Sequence, residues 1–375
     1  MPMLVYLGIC AVLAFLSAGA AALRGVPPAP TFHIAFAVGA MPLVFGAIIH
    51  FVPVLTRSAG AGAVVRNLPL AVQSAGIVVV LGLAGSLPAW SLHAAATVTA
   101  GAALALAAWI VGRLRTTLGQ PHPGARWYVA ALAALLVAVG LVPFWLARPE
   151  LRGALRLVHL HLNTLGFIGL AALGTLPVLL PTALGGQGRG DTTAGMRLAR
   201  DLPLAVAGVA LAAVGTVTEW PLAAAGAVLL AAVVLRHLGA WQDAYGSGPI
   251  VRDGAAAPLA AAALGFALLL AHGVAHGTGS AAARPAIAAF AAGFLLPLVS
   301  GALTQLLPVW RHPGADSPQR RDMRRFLASG GTLRAVLFLG AGVLLAFDRN
   351  AGFALLAVAL GTFAGALLRA FAHRA

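Results

Sequence analysis

Polar residues are so sparse along this chain that they mark the ends of apolar runs instead of alternating with them. Runs of about 20 apolar residues recur from one end to the other, long enough for a helix rising about 1.5 Å per residue to cross ~30 Å of hydrocarbon. Twelve spans are predicted, at approximately 3–24, 33–55, 68–90, 91–114, 127–147, 157–183, 202–219, 221–240, 256–276, 284–310, 333–347 and 351–372. Helices satisfy their own backbone groups where no water reaches. A transmembrane barrel needs short alternating segments, and these runs do not alternate. The expected fold is an all-α polytopic membrane protein with twelve transmembrane helices.

The runs also repeat. Gly46-Ala-Ile-Ile-His-Phe-Val-Pro53 recurs as Gly174-Thr-Leu-Pro-Val-Leu-Leu-Pro181 and as Gly301-Ala-Leu-Thr-Gln-Leu-Leu-Pro308, at steps of 128 and 127 residues. This divides a single membrane domain, 1–375, into three pseudosymmetric four-helix repeats, approximately 1–120, 121–245 and 246–375. The signature falls at the end of the second helix of each. Arg66-Asn-Leu-Pro-Leu-Ala-Val72 is echoed by Arg200-Asp-Leu-Pro-Leu-Ala-Val206, and Arg113, Arg236 and Arg369 close the fourth helices. The stretch 311–332, with Pro313, Pro318 and several arginines, reads as a connector.

Composition adds direction. Hydrophobic residues make up 61% of the chain and charged residues 9%, and all 24 basic residues are arginine. With the N-terminus inside, eighteen arginines fall on the inner side and six (Arg24, Arg148, Arg152, Arg156, Arg284 and Arg349) on the outer. The excess of basic residues in cytoplasmic loops then predicts both termini in the cytoplasm of a bacterial-type inner (plasma) membrane. The formal charge of +15 is explained by topology and anionic lipid, so no nucleic-acid partner is expected. The first run is kept as a helix and not a cleaved leader, because the repeat needs it. Cys10 is the only cysteine, which excludes intramolecular disulfides and cysteine-rich metal sites. Trp90, Trp145 and Trp220 at one set of span ends, and Trp127, Trp241 and Trp310 at the other, read as interfacial anchors.

Topology sorts the eleven histidines. His33, His93, His159 and His161 open even-numbered spans, and His272 and His276 close span 9, so these six share an outer layer. His50 lies 17 residues beyond His33, about 25 Å deeper on an ideal helix. His33 and His161 each stand thirteen residues before the signature glycine, where the third repeat has Ala288. His272 and His276 share one helix face by their spacing, whereas His159 and His161 project to nearly opposite sides. Polar groups inside a membrane usually face the bundle interior and mark function. Imidazole suits haem iron, copper or zinc where cysteine is missing. No carboxylate is expected mid-span, which argues against a zinc hydrolase. Arg148, Arg152 and Arg156, just before span 6, are placed to pair with haem propionates.

Three four-helix arcs, a histidine opening span 2 and the run His159-Leu-His-Leu-Asn-Thr-Leu-Gly-Phe167 opening span 6 resemble the haem-copper oxidase superfamily. Within it the chain is most similar to divergent NnrS-type haem- and copper-containing membrane proteins linked to nitric oxide metabolism. The resemblance covers the whole chain as architecture, but its motifs cover spans 2 and 6 alone. It implies haem b, one or two per chain, with copper as the alternative at a second centre. It also implies a small redox partner or a diatomic gas as the physiological ligand. The departures are specific. The respiratory oxidases carry His-x-His on the tenth helix, and here it lies one repeat earlier. There is no His-His dipeptide, Tyr6, Tyr128 and Tyr245 are expected at the inner side, and the lysine and acids of proton channels are missing.

The expected function is therefore membrane-embedded haem binding, with redox or nitric oxide/oxygen handling and no proton pumping. Oxidoreductase activity is the enzymatic form of that reading. Two haem arrangements are open: His33 with His161, leaving His159 to join His272 and His276 at a second centre, or a span 6 histidine with His276. The first follows from the repeat and is preferred. His93 is the remaining member of the layer. The rival function is a twelve-helix transporter or copper permease using histidine ligands, although transporters usually carry inverted or two-fold repeats.

Overall fold

The structure, a computed structural model, describes residues 3–117, 119–185, 192–280 and 286–373. Arg189, Arg284 and Arg374 of the arginine asymmetry lie outside the described residues. Twelve helices are long and apolar enough to cross a membrane: α1 (Met3–Leu23), α2 (Pro28–Thr56), α3 (Ala63–Leu83), α4 (Trp90–Thr116), α5 (Gly124–Ala147), α6 (Pro149–Leu184), α7 (Ala194–Gly215), α8 (Trp220–Tyr245), α9 (Ala256–Gly277), α10 (Ala286–Arg311), α11 (Pro318–Ala346) and α12 (Ala351–Ala372). There is no strand among the described residues. The protein is an all-α polytopic membrane protein.

Each predicted span is present, with shifted ends. The helix α3 starts earlier than expected and stops at Leu83, and α7 begins at Ala194 instead of near 202. The latter change matters, because it places Asp201 two turns inside a membrane helix, fully buried, where the sequence reading expected no carboxylate. The 311–332 connector is also more than a loop. An amphipathic helix, Pro318–Ala328, is capped by the Ser317 hydroxyl accepting from the Arg320 amide. A sharp break at Gly330 (φ 70°) then starts Gly331–Ala346. Arg334, with no exposed surface, donates to the carbonyls of Ser329 at 2.7 Å and Leu327 at 2.6 Å, and so ties the two halves of α11 together. Its guanidinium lies 5.2 Å from the ring centre of Phe363.

Contact density separates two compact units, Met1–Gly174 and Thr175–Ala375. In the first unit α2 is the hub, packed by α1, α3, α4 and α5, and α6 packs on α5. A Cβ on Gly76 would meet the Ala37 carbonyl oxygen at 2.5 Å, so only glycine lets α3 approach α2 there. His122 ties the α4–α5 turn to α2 by donating its amide to the Leu55 carbonyl at 3.0 Å. Burial holds its imidazole below the usual histidine value, so the neutral ring accepts from the Gly124 amide at 3.2 Å. In the second unit α7 packs on α8, α8 on α9, and α9 on α10 and α11.

The repeat has a physical cause in each of its three copies. A Cβ on Gly46 would meet Leu7 Cδ1 at 2.6 Å, one on Gly174 would meet Trp127 Cβ at 2.5 Å, and one on Gly301 would meet Leu259 Cγ at 2.7 Å. The signature glycine is thus where the first helix of a repeat crosses its second. Trp127 and Trp241 are consequently buried in protein, at 0% and 1% exposure, and are not interfacial anchors. The second helices share a further feature. Each contains a stretch of π-helix, at Ile34–Ala40, Leu162–Gly169 and Ala291–Leu295, in register with the sequence repeat. A π turn disturbs the regular ladder and is frequent at functional sites. Side chains supplement it here: Gln73 donates to the Val38 carbonyl at 3.3 Å, Asn163 to that of His159 at 2.8 Å, and Thr164 to that of Leu160 at 2.7 Å.

Candidate functional site

The two π segments of the first unit begin directly after His33 and His161. His33 Nδ1 bonds the carbonyl four residues back, Ala29, at 2.7 Å, and His161 Nδ1 bonds the carbonyl four residues back, Leu157, at 2.9 Å. The repeat therefore places not only the residue but also its hydrogen bond. His159 is anchored differently: its Nδ1 reaches across to the Ala138 carbonyl of α5 at 2.9 Å. Pro143 removes a ladder bond from this stretch of α5. Because a carbonyl only accepts, each of the three rings donates from Nδ1, and in its neutral form each then has Nε2 as its acceptor nitrogen.

The ring beside His33 is that of His159. Their centroids are 6.5 Å apart and their planes differ by 26°. Trp145, expected as an interfacial anchor, packs edge-on against His159 with centroids 5.1 Å apart. Two imidazoles that share one ion through Nε2 at about 2.0–2.1 Å have ring centroids roughly 6 Å apart, close to the spacing of this pair. Fixed Nδ1–H bonds to carbonyls are the usual outer partners of histidine ligands. Arg152, Arg156 and His159 fall on one stripe of α6, at spacings of four and three residues. Both arginines are exposed, one turn and two turns before the imidazole. Arg148 is engaged with Glu150 at 3.7 Å. This arrangement offers two neutral nitrogen donors, an aromatic wall and two cations above them.

The other expected residues fall elsewhere. His93 is exposed on α4. His272, on α9 in the second unit, is 9% exposed and lies edge-on to Phe347 at 6.2 Å, while His276 on the next turn is exposed. Among the described residues no three of His, Cys, Asp and Glu gather where they would hold a metal ion. Sequence reasoning missed Gln73, Asn163 and Trp145. A glutamine in the middle of a span was the visible signal for the first, but the carbonyls that employ these amides come from π turns that periodicity does not reveal.

The chain matches no family model, no curated protein and no solved structure.

Proposed function

We propose that this is a haem-binding membrane protein in which His33 and His159 would hold the haem iron. The observation that supports it is the pair itself: two near-parallel imidazoles 6.5 Å apart, each with Nδ1 fixed on a backbone carbonyl. When bound, the group supplies a one-electron iron couple. The protein's part is to hold two neutral rings with Nε2 inward, to keep water from His159 with Trp145, and to pair propionate carboxylates with Arg152 and Arg156. His159 thus replaces the repeat-related His161 as the preferred partner of His33. If His33 and His159 both held the iron, electron transfer would follow more directly than gas binding, and handling of nitric oxide or oxygen would need one of them to let go.

The same proposal covers orientation. The arginine asymmetry supports an orientation with both termini in the cytoplasm and the histidine layer in the outer half of the membrane, read as a bacterial-type plasma membrane. No proton route is proposed.

The test is an optical spectrum of detergent-purified protein, oxidised and dithionite-reduced. Sharp α and β bands on reduction are expected, and a colourless preparation from a haem-replete host would sink the reading.

A further inference from the structure

The second unit contains a cavity of about 420 Å³ among α9, α10 and α11. That is within the ~300–1,000 Å³ usual for small-molecule sites. Its floor is made where three backbones nearly touch: a Cβ on Gly265 would lie 1.9 Å from the Gly293 carbonyl oxygen, and one on Gly342 would lie 2.5 Å from Gly293 Cα. Gly293 belongs to the third π segment, the counterpart of those that follow His33 and His161. Beyond the glycines the walls are alanine, leucine and valine, too small in sum to fill the space.

Among the described residues two polar side chains interrupt this lining, both toward the loop end of α9. His272 is nine-tenths buried and lines the cavity seven residues, about 10 Å of helix, from Gly265. Ser280 lies beyond it, its hydroxyl 3.0 Å from that of Thr278. Exposed Phe347 lines the cavity and flanks His272. Among the described residues, no arginine and no carboxylate lines it. An anionic head would be buried without a counter-charge, which is costly in an apolar site. A neutral oxygen meeting an imidazole and a hydroxyl carries no such penalty.

We propose that this cavity binds a neutral, lipid-soluble molecule that sets a carbonyl or hydroxyl oxygen against His272 and lays its apolar body along the glycine floor. Two membrane sources share that chemistry: the ring carbonyl of an isoprenoid quinone and the ester carbonyl of a neutral glyceride. The site is formed by the second unit alone and stands whether or not His33 and His159 hold a metal.

The test is native mass spectrometry of the full chain, delipidated in detergent, titrated separately with decyl-benzoquinone, a short-chain diacylglycerol and decane. One saturable molecule per chain is expected for the quinone or for the diglyceride, and whichever binds identifies the source. Affinity should fall at least fivefold in His272→Leu and be lost in Ala275→Phe. Ala289→Leu fills the cavity from a different helix and replaces the latter variant if it fails to elute as a folded monodisperse peak. Decane binding as well as the oxygen-bearing probes, equal affinity in His272→Leu, or binding that survives both filling variants would overturn the proposal.

Discussion

The second helices of the repeats, α2 and α6 in the first unit and α10 across the second, share one backbone device and differ in what precedes it. All three have a π segment, a glycine at the helix crossing and a proline seven residues on. In the first unit an imidazole stands immediately before the π segment, with its Nδ1 on the carbonyl four residues back. In the second unit the residue equivalent by repeat is Ala288, three residues before the π segment, and that segment faces a cavity whose imidazole comes from α9 instead. The scaffold and the chemistry are therefore separable. The repeat specifies where a side chain can be presented and leaves open whether a donor or a space is presented there.

The comparison is broken most severely by removing the donors. His33→Ala or His159→Ala should each abolish the low-spin spectrum, converting it to high-spin or removing the haem, since each ring supplies half of an axial set. His161→Ala, equivalent to His33 by repeat, should leave the spectrum unchanged, as should His272→Ala in the second unit. Absorption spectra of the four purified variants decide between pairing by contact and pairing by symmetry. A low-spin spectrum lost in His161→Ala but kept in His159→Ala would restore the symmetric pair.

Much of this was legible beforehand. Hydrophobic run length located twelve spans, since in lipid a helix must be both long and apolar, and the recurrence of Gly46, Gly174 and Gly301 located the crossings. The π turns were not legible, because they shift hydrogen bonds without changing which residues are apolar. That is why the repeat alone does not show that the His159 ring, two residues from the repeat position, lies beside that of His33. The tryptophans show the same limit. Trp127 at a span end looks like an anchor until it is seen buried against Gly174, where a Cβ would meet its own Cβ at 2.5 Å. Asp201 escaped because its helix starts eight residues earlier than the apolar run, carried inward by Arg197 and Arg200, whose charges are met locally by Thr193 and Asp201.

The next largest effect lies in the third helices, where the first unit has Arg66-Asn67 and the second Arg200-Asp201. Asp201 is fully buried and accepts from Arg200 at 3.0 Å and from Arg236, which closes α8, at 3.2 Å. Its counterpart Asn67 has no charge, and Arg113, which closes α4, instead points to the Gly60 carbonyl at 3.5 Å. Breaking a buried ion pair by removing one partner typically costs about 3–5 kcal/mol, but Arg236 is about one-third exposed and can rehydrate, so the lower end applies. Asp201→Ala is expected to cost about 2–3 kcal/mol in detergent unfolding, and Asn67→Ala well under half of that. Equal losses would show that the ion pair does not distinguish the two units.

The smallest and most graded effect is expected from adding one methyl group to each crossing glycine. Overpacking a tight contact costs roughly 1–3 kcal/mol, with the amount set by whether the neighbour can retreat. At Gly174 the new Cβ meets the Cβ and Cγ of buried Trp127 at 2.5 and 3.1 Å and the Gly124 carbonyl at 3.3 Å. The indole is rooted in α5 and cannot swing away, so Gly174→Ala should be the most destabilising. At Gly301 the contacts are Leu259 Cγ at 2.7 Å and the Ala255 carbonyl oxygen at 2.8 Å. One is a branch point and the other is backbone, which puts this variant second. At Gly46 the neighbours are the methyl tips Leu7 Cδ1 at 2.6 Å and Leu4 Cδ2 at 2.9 Å, and tips rotate. Gly46→Ala should therefore cost least. Midpoint temperatures of the three variants, measured in one detergent, are expected to fall in the order Gly46, Gly301, Gly174 from mildest to most severe. An equal drop in all three would mean that the crossings are governed by the shared glycine alone and not by the different first helices set against it.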